Sequence, residues 1–102
     1  MIVDANLLLF AVDRASPFHA AAADWWETSL NGDVAVGIPW QTIGAFVLIV
    51  THPRVAANPL SAAVAWAHVE SWLGASPVWI PAAGEATARV YGDLNRRVPI
   101  TG

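Results

Sequence analysis

Met1-Ile-Val-Asp-Ala-Asn-Leu-Leu-Leu-Phe-Ala-Val-Asp13 opens the chain with an apolar run interrupted by one carboxylate, Asp4, and one amide, Asn6. Met1 to Val3 is too short for a helix but long enough for the last rungs of a buried parallel strand. Asp4 then falls where that strand ends. In open α/β sheets the crevice beyond the carboxyl ends of the strands is where ligands bind. Two readings of Asp4 follow. As a helix cap it accepts the free N–H groups of the next turn. As a metal ligand it offers a hard oxygen to a divalent cation.

Working outward, the pattern alternates helices and strands. Leu7 to Val12 makes a helical turn that Asp13-Arg14 breaks. Ser16-Pro17 reads as a helix start, serine at the cap and proline at the first helical position, with the helix running about to Leu30. Phe18, Ala22, Trp25 and Ser29 form its stripe, and Asn31-Gly32 ends it. Trp25 and Trp26 are adjacent and cannot both enter one core. Val34 to Ile38 predicts a second strand, stopped by Pro39. Trp40 to Val50 is apolar except at Gln41 and Thr42, which predicts a helix buried on more than one face. Thr51-His-Pro-Arg54 breaks it.

Ser61 caps a third long helix, with Val64, His68 and Trp72 inward, Ala65 and Val69 less strictly so, and Gly74 closing it. Val78 to Ile80 predicts a third strand between Pro77 and Pro81, and Glu85 to Arg96 a last helix with Val90 and Leu94 inward and Arg89, Asp93 and Arg96 outward. This alternation predicts an α/β domain, a parallel sheet flanked by helices.

Composition narrows the class. The 102 residues suit one domain, and 56% apolar with 13% charged residues says globular. No apolar run reaches the roughly 18 residues of a membrane span, so no membrane association is expected. The first residues carry no positive segment of the kind that precedes a signal peptide. With no cysteine there is neither a disulfide framework nor a thiolate metal site, and a cytoplasmic location is expected. Five arginines, no lysine and a net charge of −3 make a poor general binder of nucleic acid, because phosphate contacts supply most non-specific affinity. The same acidity suits carboxylates gathered around a divalent ion.

The opening run, together with Ile38-Pro-Trp-Gln-Thr-Ile-Gly-Ala-Phe46 and Thr51-His-Pro-Arg-Val55, resembles PIN-domain ribonucleases, nearest to the VapC-type toxins of bacterial toxin–antitoxin pairs. The resemblance runs in order along the whole chain, yet the family's chains continue beyond the point where this one stops. It therefore implies that residues 1–102 form a partial PIN-like domain, truncated before the last strands. The activity implied is Mg²⁺- or Mn²⁺-dependent hydrolysis of RNA phosphodiester bonds. The metal would polarise the phosphoryl oxygen and lower the pKa of an attacking water.

By the same resemblance Asp4 is the first catalytic, metal-binding acid, with Asn6 and Thr42 as supporting polar groups and Arg54 as a phosphate contact. The family's second acid, a glutamate, falls on Ala45, and Leu48 stands where the subfamily often carries arginine. Alanine ligates nothing, so this chain alone is expected to be inactive. Asp93 reads as a surface charge, and Asp13 as a helix cap or the partner of Arg14. Glu70 and Glu85 read as helix-surface acids. His68 reads as a core histidine, His52 as a loop-tying group and His19 as exposed.

The family orders its sheet 3-2-1-4-5, which would leave the Asp4 strand with one unpaired edge and favour a homodimer or a complementing chain over a compact monomer. The partners implied are RNA, a cognate VapB-type antitoxin and that second chain. One rival is a catalytically degenerate member that binds an antitoxin or a homologue. The other is a haloacid-dehalogenase-like phosphatase, whose nucleophilic aspartate also ends a first strand. That chemistry needs a second carboxylate two residues later, and Asn6 cannot serve.

Overall fold

Three short extended segments, held side by side in parallel, set the frame. In the computed structural model, which describes residues 1–56 and 58–81, they are Ile2, bridged to Gly37, then β1 (Val36–Gly37) and β2 (Val78–Trp79). Val36 pairs with Val78 and Gly37 with Trp79, so β1 lies in the middle. The ladder runs from Gly37 N–H to the Met1 carbonyl (2.7 Å) and from Val3 N–H to the Gly37 carbonyl (3.0 Å). On the other side Val36 N–H donates to Pro77 O (2.9 Å) and Ile38 N–H to Trp79 O (3.0 Å). The second strand is narrower than Val34–Ile38, since Val34 is exposed and outside the ladder.

Four helices complete the described residues: α1 (Ala5–Val12), α2 (His19–Leu30), α3 (Trp40–Val50) and α4 (Ala62–Leu73). Each begins where the sequence frees it from the preceding segment. Asp4, in extended conformation, accepts the Leu7 N–H and caps α1. Pro39 takes the cap position of α3, and Ser61 accepts the Val64 N–H at the start of α4. Ser16-Pro17 does not start α2. Ser16 Oγ instead accepts the Phe18 N–H in a tight turn, and the helix begins at His19. That turn brings Phe18 onto Phe10 (ring centroids 5.2 Å), and His19 Nδ1 bonds the Phe10 carbonyl at 3.0 Å. His19 is thus half-buried rather than exposed.

The core joins α2, α3 and α4 through aromatic rings. Trp72 meets Trp26 edge-on (5.8 Å, 83°) and Phe46 at a tilt (5.0 Å, 59°). Such pairs add to their burial because a ring's positive edge faces its neighbour's negative face. Leu8, Val36, Ile38, Ile43, Val69 and Ala65 fill the space around them. Of the tryptophan pair, Trp26 enters the core and Trp25 stays 44% exposed, so the inward stripe is Ala22 and Trp26 rather than Phe18, Ala22, Trp25 and Ser29. Trp26 Nε1, although buried, has no hydrogen-bond partner among the described residues.

The inner face of α4 is Ala65, Val69 and Trp72. Val64 is exposed, and His68 half-buried beside the Trp72 ring. Helix α3 buries one face only, Ile43, Phe46 and Val50, while Trp40 and Leu48 are exposed. An apolar run with no polar punctuation left that phase undetermined. The last expected helix, with Glu85, Val90, Asp93 and Leu94, lies outside the described residues.

Two glycines predict opposite responses. A Cβ on Gly37 would sit 2.8 Å from Ile2 Cδ1 and 3.0 Å from Pro81 Cγ, whereas one on Gly44 meets nothing within 4 Å. Gly37→Ala should cost about 1–3 kcal/mol through overpacking. Gly44→Ala, in an exposed helix position, should gain about 0.5–1 kcal/mol. Chemical denaturation of both variants checks the register of the sheet.

Candidate functional site

The register fixes what stands at the carboxyl edge of the sheet. Because Ile2 is level with Gly37, Ile38 is level with Val3 and Pro39 with Asp4. Neighbouring strands lie about 4.8 Å apart, so the first turns of α1 and α3 start side by side. Thr42, in the first turn of α3, closes the gap: its Oγ1 donates to the Val3 carbonyl at 3.1 Å. Thr42 is therefore a brace for the strand end rather than a free polar group.

Asp4 is exposed and extended (φ −94°, ψ 166°), and its Oδ1 accepts the Leu7 N–H at 3.0 Å. The capping reading therefore holds, and the cap engages Oδ1 alone, leaving Oδ2 without a hydrogen bond among the described residues. Asn6 is exposed in the first turn of α1, on the same edge. Ala45 is half-buried, one turn beyond Thr42 on the same side of α3. The strand ends at Asp4, Pro39 and Pro81 thus contribute one carboxylate between them. Among the described residues no group of three His, Cys, Asp or Glu could hold a metal ion. A Mg²⁺ ion keeps several waters and takes phosphate oxygens beside one or two carboxylates. The described donors fit such an ion as far as a single foothold.

The other candidates stand elsewhere. Arg54 is exposed in the turn after α3, and its backbone N–H donates to His52 Nδ1 at 3.1 Å, which makes His52 a loop-tying group. Helix α3 separates that turn from the strand end: Val50 lies eight residues past Thr42, about 12 Å along the axis at 1.5 Å per residue. Asp13 ends α1, at the opposite end from Asp4, where its carboxylate accepts the Ala15 N–H at 3.0 Å. A groove of about 650 Å³ also lies at that far end, between Leu9, Val12, Ile49, Val55, Leu60 and His68. Its size suits a ligand, but it holds none of the strand-end residues. We place the candidate site at Asp4 because the sheet register converges there. What the sequence did not mark is Trp40, 55% exposed beside that edge.

Capping and charge at Asp4 separate by substitution. Asp4→Ala should cost about 1 kcal/mol through the lost cap, whereas Asp4→Asn should cost only a few tenths. Thr42→Val should cost about 1 kcal/mol by removing the donor to Val3 O. Urea unfolding midpoints measure all three.

No family model matches the chain. Individual proteins do. Ribonuclease VapC33 of Mycobacterium tuberculosis is 39% identical over 84 residues, 82% of this chain and 59% of that protein. Ribonuclease VapC37 of the same organism is 38% identical over 74 residues, 72% of this chain and 51% of that protein. Ribonuclease VapC43, also from M. tuberculosis, is 28% identical over all 102 residues, 69% of its own length. The chain therefore spans only 59% and 51% of the first two relatives. The likeness takes in the stretch that carries Asp4 and Thr42 in the relative aligned from end to end, and over most of its length the chain is similar to VapC-type ribonucleases.

Proposed function

We propose that the chain is a PIN-like toxin of a VapBC-type pair, a metal-dependent ribonuclease that hydrolyses RNA phosphodiester bonds at the carboxyl edge of its sheet. The observation that carries this reading is Asp4. It is an exposed carboxylate at a strand end, held rigid by its own cap and by the Thr42 brace. The relatives that bear the name ribonuclease support the reaction class. No helix among the described residues is long and apolar enough to cross a membrane.

In this reading Asp4 Oδ2 holds Mg²⁺ or Mn²⁺, with Asn6 alongside. Such an ion supplies charge neutralisation at the scissile phosphate and a bound water of lowered pKa. The contribution of the chain is orientation. The capped Asp4 cannot rotate freely, and Thr42 fixes the carbonyl that precedes it. The partners are RNA, a cognate VapB-type antitoxin, and a second copy or a complementing chain beside the edge of the Met1–Val3 segment.

A second reading, a catalytically degenerate member that binds an antitoxin or a homologue, is favoured by one specific observation. Alanine occupies position 45, one turn from Thr42, where the resemblance expects the second acid. Cleavage of labelled single-stranded RNA in Mn²⁺ decides between them. The enzyme reading expects no cleavage by this chain alone, because Ala45 leaves the site short of a carboxylate, and cleavage that EDTA and Asp4→Asn each abolish once a polypeptide supplying further acids is added. If the wild-type chain stays inert with that polypeptide and Ala45→Glu then brings cleavage that depends on Asp4, the degenerate reading holds.

A further inference from the structure

An acidic ribonuclease must hold its substrate by something other than a basic face. The described residues carry two permanently charged side-chain cations, Arg14 and Arg54, against six carboxylates: Asp4, Asp13, Asp24, Glu27, Asp33 and Glu70. Arg54 stands beyond the far end of α3 from Asp4, and Arg14 beyond the far end of α1. Among the described residues, phosphate neutralisation, which supplies most non-specific affinity for nucleic acid, therefore has little to draw on around the candidate site. Single-stranded RNA has a second handle. Its unpaired bases stack on aromatic side chains, and that attraction tolerates any base because each has a π-face.

Among the described residues the strand end offers one such ring. Trp40 is the first residue of α3, one residue past Pro39, which the register sets level with Asp4 on the adjoining strand. It is 55% exposed, more than Trp25, Trp66 or Trp79. Unlike Trp26 and Trp72, it enters none of the ring pairs that build the core. Its backbone is nonetheless fixed, because Pro39 precedes it and the Thr42 hydroxyl, two residues on, is bonded to Val3 O. Trp40 thus carries a half-open indole on a backbone fixed close to the strand end at Asp4, where the ring adds little to the core. It has the geometry of a platform.

We infer that Trp40 is a substrate-contact residue that stacks a nucleobase of single-stranded RNA, setting the adjacent phosphate beside Asp4. This deepens the ribonuclease reading and rests on it. The stacked base is the main source of RNA affinity on this acidic chain. Binding therefore falls only shallowly with salt, unlike that of a protein held by many phosphate contacts.

The test uses the full chain, a fluorescein-labelled single-stranded RNA ten-mer in Mg²⁺ with its integrity checked by gel, and fluorescence anisotropy. Trp40→Ala and Trp40→Leu are expected to weaken binding about tenfold, the loss of one base–aromatic stack. Trp40→Phe should stay within a few-fold of wild type. Trp66→Ala, which removes a ring of similar exposure on α4, should bind as wild type does.

A scan of abasic substitutions along the RNA supplies a readout that no folding defect mimics. In the wild type at least one abasic position should cost a similar factor, and in Trp40→Leu that position should cost nothing further. If wild type binds but shows no abasic cost, or keeps it in Trp40→Leu, or if Trp66→Ala loses as much, the platform is wrong while the ribonuclease reading stands. If the wild-type chain binds no RNA at all, both fall.

Discussion

The pairing of Met1–Val3 with β1 is the constraint on which the rest depends. Two backbone hydrogen bonds, Gly37 N–H to Met1 O and Val3 N–H to Gly37 O, lock the first residues in parallel beside the central strand. They set which residue stands at the edge. A slip of one residue would turn every side chain of the segment to the other face, burying Ile2 instead of Val3 and leaving Asp4 within the ladder. Gly37 makes the close approach possible, since any Cβ there would press on Ile2 and Pro81. Once the register is set, Asp4 caps α1, Pro39 starts α3, and Thr42 reaches back to Val3. The candidate site is a consequence of the strand pairing rather than an addition to it.

The elements were largely legible because they depend on local chemistry. Asp4, Ser61 and Gly74 marked helix ends by capping, and the limits of α3 at Trp40 and Val50 followed from Pro39 and the Thr51-His-Pro break. Helix phase was less legible. Trp25 and Trp26 are equally apolar, and only the position of Trp72 decides that Trp26 is the inward ring. Along α4, Val64 and Ala65 are neighbours of similar character, and the smaller one faces the core because a close helix approach favours it there. In α3 the unbroken apolar run gave no phase at all. The turn at Ser16 misled for a different reason: its hydroxyl caps locally, while the Phe10–Phe18 contact delays the helix to His19.

For the candidate site, sequence marked Asp4 as the carboxylate at the end of the first strand, which is where the register places it. It could not reveal that Thr42 braces Val3, because that bond spans 39 positions. Nor could it separate Arg54 from Asp4, since helix length and direction decide where the Thr51-His-Pro-Arg turn falls. Trp40 was hidden by the expectation that this largely apolar helix is buried on more than one face. Chain charge, read as mildly adverse to RNA binding, gains a physical place once that ring stands exposed beside Asp4. Under the stacking proposal, a surface that disfavours phosphate-driven binding remains compatible with RNA.

Manganese titration followed by paramagnetic broadening in the amide NMR spectrum tests the central claim, that the sheet register builds a cation foothold at Asp4. It detects weak binding and maps it. The account predicts broadening centred on the amides of Asp4, Ala5 and Trp40, absent near Asp13 and Asp33, and abolished by Asp4→Asn with the fold intact. Broadening centred on the acids of α2, or surviving Asp4→Asn unchanged, would contradict it.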